Sequence, residues 1–350
     1  MSDLVASGQA VDQPLTRHAI FLVLSVRDDD ESLATAREVV SGIADFVKTV
    51  GFRSSEARLS CVVGIGRALW DRLRPDGPRP IDLRPFNAIR GENGHDAPST
   101  PGDVLFHIRS ERADLCFELE RQLLNALGGA VVVEDEVSGF RYFDARDLLG
   151  FVDGTANPTG AEISDAAWIT GDADPDFGGG AYVVVQKYVH DLEAWGALTV
   201  EQQEAVIGRT KVENIELDDD PDAPAHKTLT TIEDPQTGEE LDIIRDNMPF
   251  GRPGAGEYGT YFIGYASRLW VIETMLQRMF LGDRPGRYDR ILDFSTAVTG
   301  TTFFVPTPDV LEGLADETPA PAEEEAAEAP PAAPAPPPAT GGLGIGSLRD

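Results

Sequence analysis

Three short stretches of the 350-residue chain carry side chains able to move protons, hold a metal or face an anion. In GFVDGTANP, residues 150–158, two glycines flank one carboxylate, Asp153, and the tight backbone that glycine permits presents it at a loop. In RDNMPFG, Arg245 and Asn247 stand two apart, and on an extended segment that spacing points both at one face. In HKTLTT, His226 opens an ordered segment directly after the acidic, proline-bearing DDDPDAPA. By residue type a carboxylate can move a proton, a guanidinium can face negative charge, an amide can hydrogen-bond and an imidazole can bind a metal. Each also has an ordinary reading by residue type: Asp153 as a turn cap, RDN as a surface turn, His226 as a structural histidine among five.

Positioning such a set takes a scaffold, and the apolar patterning supplies one twice. HAIFLVLSV from His18 reads as a buried strand, and apolar residues at Ala36, Val39, Val40, Ile43, Phe46, Val47 and Val50 follow on one helix face. LSCVVGIG from Leu59 and DVLFHIRS from Asp103 predict strands, a helix runs from about Glu111 to Leu127 with Ser110 as N-cap, and AVVVEDEV from Ala130 predicts a fourth strand. Ala68 to Pro101, rich in Pro, Gly and Arg, reads as an irregular insertion.

The second half echoes this βαββαβ order. AYVVVQKYV from Ala181 predicts a strand, helical material spans Leu192 to Ile207, GTYFIGYASRLWVIETMLQRMF from Gly259 repeats strand then helix, and TGTTFFVPT from Thr299 predicts a last strand. The fold expected is α+β, two ferredoxin-like domains with antiparallel sheets, of the dimeric α+β barrel type. Boundaries follow: an N-terminal arm 1–15, domains 16–150 and 151–310, a Pro/Ala/Glu-rich linker 311–340 that cannot bury enough apolar area to order itself, and a terminal peptide 341–350. Two packed sheets would leave a ligand cleft at their junction, with functional residues from the joining segments.

Charge narrows the partners. The formal net charge is −31, and residues 311–350 hold only eight acids and one base, so most of the acidity belongs to the folded body. Such a field repels phosphate backbones and anionic lipid, which argues against nucleic acid and membrane surfaces. No apolar run approaches the roughly 20 residues of a membrane span, and the N-terminus lacks a basic segment followed by an apolar run, so a cytoplasmic protein is expected. Cys61 and Cys116, the two cysteines, sit in apolar patterns and read as small buried hydrophobes.

GFVDGTANP resembles the GxxDG signature of the dye-decolourising peroxidases, haem enzymes built from two ferredoxin-like domains. GDVLFHIRS, IGRTKVEN, HKTLTT, RDNMPFG and YDRILDFSTAVTGTTFFVP are similar to further blocks of that family in the same order, over roughly residues 15–307. The likeness is to the shorter B-type branch.

The resemblance implies haem b, with His226 as axial iron ligand and Asp289 as acceptor for its other ring N–H; Asp293 is the substitute if the register shifts. It implies Asp153 as acid-base residue, Arg245 as the distal cation and Asn247 as hydrogen-bonding partner, with Arg209 facing a haem propionate. His107, inside an alternating strand, is a rival ligand given a core role, and His18, His95 and His190 have no supporting context. The implied activity is reduction of hydrogen peroxide coupled to one-electron oxidation of dyes and phenols. Trp70, Trp168, Trp195 and Trp270 are candidate electron relays on chemistry alone.

Relatives suggest a homo-oligomer, dimer or hexamer. Many have Glu where this chain has Ala156, which puts manganese oxidation in doubt, although Glu213 and Glu216 remain on an acidic loop. The competing reading is a haem carrier or haem-iron-handling protein without catalysis; it has no need of the distal set Asp153, Arg245 and Asn247.

GGLGIGSLRD, residues 341–350, resembles the cargo-loading peptide that packs such peroxidases inside encapsulin nanocompartments, with its LGIGSL core complete. Leu343, Ile345 and Leu348 are the docking residues this implies. Burying all three would give about 5–9 kcal/mol gross, before ordering costs.

Overall fold

The two βαββαβ runs fold as antiparallel ladders whose central strands are buried on both faces. The computed structural model describes residues 8–155, 157–218, 220 and 222–316. The first half contributes β1 (His18–Val26), β2 (Ser60–Ile65), β3 (Val104–Ser110) and β4 (Val131–Phe140). The second contributes β5 (Ala181–His190), β6 (Ile244–Arg245), β7 (Met248–Arg252), β8 (Glu257–Ala266), β9 (Ser295–Ala297) and β10 (Thr301–Val305). The strand order is β6-β8-β5-β10-β2-β3-β1-β4, with β7 also on β8 and β9 also on β5.

The halves are joined edge to edge, where Phe304 of β10 pairs with Ile65 of β2, so the two expected sheets form one ten-stranded sheet. At its far ends a Cβ added to Gly139 of β4 would lie 2.4 Å from Met248 Cβ of β7. The sheet thus curls until its ends touch, which leaves fewer strand edges open. Inside the curl lies one apolar cluster drawn from both halves, including Phe21, Val62, Leu105, Val183, Val185, Tyr261, Ile263 and Phe303. Alternate residues Tyr182, Val184 and Tyr188 face the helices outside, which is why β5 reads as an unbroken apolar run.

Helices cover the outer face: α1 (Asp30–Ser41), α2 (Ile43–Gly51), α3 (Ala113–Leu127), α4 (Val200–Ile207), α5 (His226–Thr230) and α6 (Leu269–Leu281). Three local expectations are corrected. The single helix expected through Val50 is broken at Gly42, whose φ −88° and ψ 8° leave the helical range. Ser110 is not the cap of α3: Arg112 occupies that position, and Ser110 Oγ instead donates to Ala57 O at 2.8 Å. The Ala68–Pro101 insertion opens with a helix, Arg67–Leu73, because Leu69, Trp70 and Leu73 find core to bury against.

The described residues pack as one compact unit. Among them no helix is long and apolar enough to cross a membrane. Residues 1–7, Ala156 and the segment from 317 onward, with Leu343, Ile345 and Leu348, lie outside the described residues.

Candidate active site

The largest apolar-walled opening near the predicted residues is not between the two sheet halves, where the cleft was expected. That space is filled by the inner aromatic and β-branched cluster. The cavity, about 880 Å³, lies on the outer face of the second half. Its floor is sheet, with Tyr188 and His190 of β5 and Thr260 and Phe262 of β8; α6 contributes Met275, Leu276 and Met279, and the 147–153 loop closes it. Joining segments do supply its chemistry: Asp153, His226, Arg245 and Asn247 all line it.

His226 is the first residue of α5, and Ala225 before it is extended, so the chain turns sharply as the imidazole enters the cavity. Its Nδ1 lies 2.5 Å from Asp289 Oδ2. Asp289 is fully buried, and its other oxygen accepts the Ile291 N–H at 3.0 Å. A carboxylate so fixed selects the tautomer with the proton on Nδ1 and leaves the Nε2 lone pair for a metal. Burial alone would lower the imidazole pKa, but the charge of Asp289 and its hydrogen bond outweigh burial and raise it. Asp293 takes no part: its Oδ1 meets His95 Nε2 at 3.2 Å and Tyr288 OH at 2.9 Å. His107 belongs to the inner core, stacked on Phe21 at 4.8 Å with Nδ1 2.7 Å from Tyr265 OH.

The strand geometry of 244–247 brings Arg245 and Asn247 to one side. β6 pairs with β8, Arg245 opposite Gly264, and the intervening Asp246 turns the other way into a buried ion pair, Arg109 Nη1 to Oδ2 at 2.7 Å. Asn247 Oδ1 accepts the Ile263 N–H at 3.1 Å, which aims its Nδ2 at Asp153 Oδ1, 3.4 Å away. That oxygen also accepts the Gly154 N–H at 2.7 Å, so Oδ2 is the atom left for proton transfer. Burial raises the Asp153 pKa, opposed by the Arg245 charge and the Asn247 bond. Burial lowers that of Arg245, opposed first by Asp153.

A raised carboxyl pKa means the carboxylate is lost at a higher pH than usual. Activity that needs ionised Asp153 is therefore expected to fall, on acidification, through a pH above the ordinary aspartate value of about 3.9. Profiles of kcat/KM for peroxide between pH 3 and 8 check this, and Asp153→Asn should abolish that limb with most of the activity.

Two cavity residues escape the sequence reading. His190 was set aside, yet it faces the cavity with Nδ1 2.8 Å from Ser295 Oγ and Nε2 2.9 Å from Thr260 Oγ1. Burial pulls its pKa down to about 4, and with both nitrogens engaged it is a neutral wall. The alternation of β5 carried that signal, since 190 shares a face with 188. Asp147 accepts the Phe151 N–H at 2.9 Å, and burial pushes its carboxyl up to about 7.

An adjoining opening of about 720 Å³ shares Asp153, His226 and Arg245 and adds Arg209, Lys227, Glu240 and Asp242. Arg209 lies 3.2 Å from Glu216, which Lys227 also contacts, while Glu213 is exposed on the same loop. Trp195 packs against the cavity-lining Phe151, ring centroids 6.2 Å apart; Trp70, Trp168 and Trp195 all lie in core clusters, and Trp270 is partly buried. One imidazole backed by a carboxylate, apolar walls for a flat ring and cations at a mouth for its acidic substituents fit the haem that the sequence resemblance implies.

The Dyp-type peroxidase N-terminal family model matches residues 8–141 and the C-terminal model residues 144–310. A dye-decolorizing peroxidase of Mycolicibacterium paratuberculosis is 55% identical over 97% of this chain and 92% of its own. One of Mycobacterium tuberculosis is 52% identical over 98% and 97%. Among solved structures, DyPB from Rhodococcus jostii RHA1 superposes with a TM-score of 0.84 at 58% identity, over 87% of this chain and 97% of that one; a variant of it is in complex with heme. The encapsulated DyP-type peroxidase from Mycobacterium smegmatis gives 0.83 at 53% identity, over 87% and 97%.

Proposed function

This chain belongs to the Dyp-type peroxidase family, and from that premise we propose that it is a haem b peroxidase that reduces hydrogen peroxide and oxidises dyes, phenols and similar donors in single-electron steps. The observation that carries the reading is one cavity lined at once by His226, with Nδ1 committed to Asp289, and by Asp153, Arg245 and Asn247.

His226 Nε2 would hold the haem iron, and the Asp289 carboxylate keeps the imidazole oriented and electron-rich. Bound there, haem supplies an iron centre that takes two oxidising equivalents from peroxide and passes them singly to donors. Asp153 Oδ2 takes a proton from one peroxide oxygen and returns it to the other. Arg245 would offset negative charge on the departing oxygen, Asn247 keeps Asp153 aimed, and Arg209 at the mouth would be the cation for a haem propionate. The apolar walls exclude water, so these charges act at low dielectric. Ala156, in place of the Glu that many relatives carry, puts manganese oxidation in doubt.

The test is the purified haem-loaded protein: a Soret band, a spectral change on adding peroxide, and peroxide-dependent dye bleaching. His226→Ala is expected to lose the ligated spectrum and nearly all bleaching. Normal ligation in that variant would remove the site assignment.

We further propose that the protein works in the cytoplasm as an oligomer inside an encapsulin shell. The LGIGSL core of residues 343–348 and the 53%-identical encapsulated relative support this. Several tails on one oligomer would bind with avidity. Deleting 341–350 is expected to leave dye oxidation intact and to abolish co-purification with a co-expressed shell; a tailless protein still packaged would overturn it.

A further inference from the structure

Asp153 and Arg245 come from segments far apart in sequence, yet a proton-moving carboxylate and its cation must hold one geometry. β6, which carries Arg245, is only two residues long and pairs with β8 along one edge. Asp246 N–H donates toward that edge, to Ile263 O at 3.3 Å, so the amide of Arg245 faces outward, where no strand pairs with it among the described residues.

The carboxamide of Asn157 takes the place of a strand. Its Nδ2 donates to Arg245 O at 2.7 Å, and its Oδ1 accepts the Arg245 N–H at 2.9 Å. Its own backbone N–H donates to Gly154 O at 3.2 Å, closing the turn that follows Asp153. Gly154 has φ +78°, which glycine adopts without strain, and Pro158 restricts Asn157 to extended conformations. Two short hydrogen bonds thus tie the backbone bearing the carboxylate to the backbone bearing the guanidinium. The direct link between the distal side chains, Asn247 to Asp153, is longer at 3.4 Å.

We propose that Asn157 is a positioning residue for the peroxide step: its two-bond clasp on the Arg245 backbone fixes the guanidinium relative to Asp153. The proposal rests on the peroxidase reading for its chemistry, and its geometry stands apart from it. Asn157→Ala removes both bonds. Asn157→Asp keeps the acceptor for the Arg245 N–H and turns the donor into a repelling oxygen.

The experiment uses the haem-loaded full chain. In Asn157→Ala the second-order rate constant for peroxide is expected to fall about 10- to 100-fold, the range for a displacement near 1 Å. KM for the dye and the Soret maximum stay unchanged, and Asn157→Asp is no better than Ala. Fluoride affinity of the ferric protein, which reads the distal cation without turnover, weakens in parallel. Peroxide rate and fluoride affinity within twofold of wild type, with only the melting temperature lowered, would reduce Asn157 to a loop brace and overturn the proposal. A wild type inert to peroxide would sink the peroxidase reading instead, and fluoride affinity would still decide whether Asn157 places Arg245.

Discussion

Arg245→Leu is expected to slow the reaction of the haem-loaded protein with peroxide by about 10²–10³-fold, the usual effect of removing one preorganised group that stabilises developing negative charge. Burial makes the effect large. The guanidinium lines a cavity that aliphatic and aromatic side chains wall in part, Leu149, Phe151, Ile207, Phe262 and Met275 among them, which weakens solvent screening of its charge. Leucine retains much of the volume, and relief of the desolvation that lowers the Arg245 pKa should keep the variant folded. A second consequence separates charge loss from displacement. Arg245 is the largest influence holding the Asp153 pKa down against burial, so its removal lets that pKa rise further and moves the acid limb to higher pH. Stopped-flow mixing with peroxide across pH 4–8 reads both. A slower reaction with an unmoved acid limb would show that the two side chains do not act on each other.

Much of this was legible before any coordinates. Strands such as HAIFLVLSV and AYVVVQKYV carry their assignment in β-branched runs, and the register of Arg245 and Asn247 follows from alternation alone. His226, by contrast, was found through resemblance, because nothing local distinguishes a ligand from four other histidines. What escaped depends on contacts between distant segments. The joining of the sheets at Phe304 and Ile65, and the inner cluster that displaces the expected cleft, arise from how the halves meet. Asn157 carries no signal of its own in the sequence, and its value lies in a partner 88 residues away. Asp246 looked like the middle of a polar triplet, and only the fold shows that it points into the core.

Arg109→Met is expected to destabilise the protein by about 3–5 kcal/mol, the usual result of breaking one side of a buried ion pair. Both partners are about 1% exposed, and Arg109 also donates to Ala10 O, so the guanidinium ties the first half and the N-terminal segment to the stretch that carries Arg245 and Asn247. Loss of the cation leaves Asp246 as a buried anion whose other neighbour cannot compensate: His107 Nε2 is 3.8 Å away, and burial, the larger of the two effects that lower its pKa, remains in the variant and disfavours the charged imidazole. Removing both charges leaves no unpaired buried charge. Arg109→Met with Asp246→Leu should therefore recover most of the lost stability, because a buried pair and an apolar replacement of similar volume often stand close in free energy. Chemical unfolding of the two singles and the double, closed as a cycle, measures the coupling. Additive losses would mean that the pair is not coupled. A double variant that recovers its stability yet reacts slowly with peroxide would show that Asp246 anchors the distal strand as well as the fold, since β6 is too short to hold its register by ladder pairing alone.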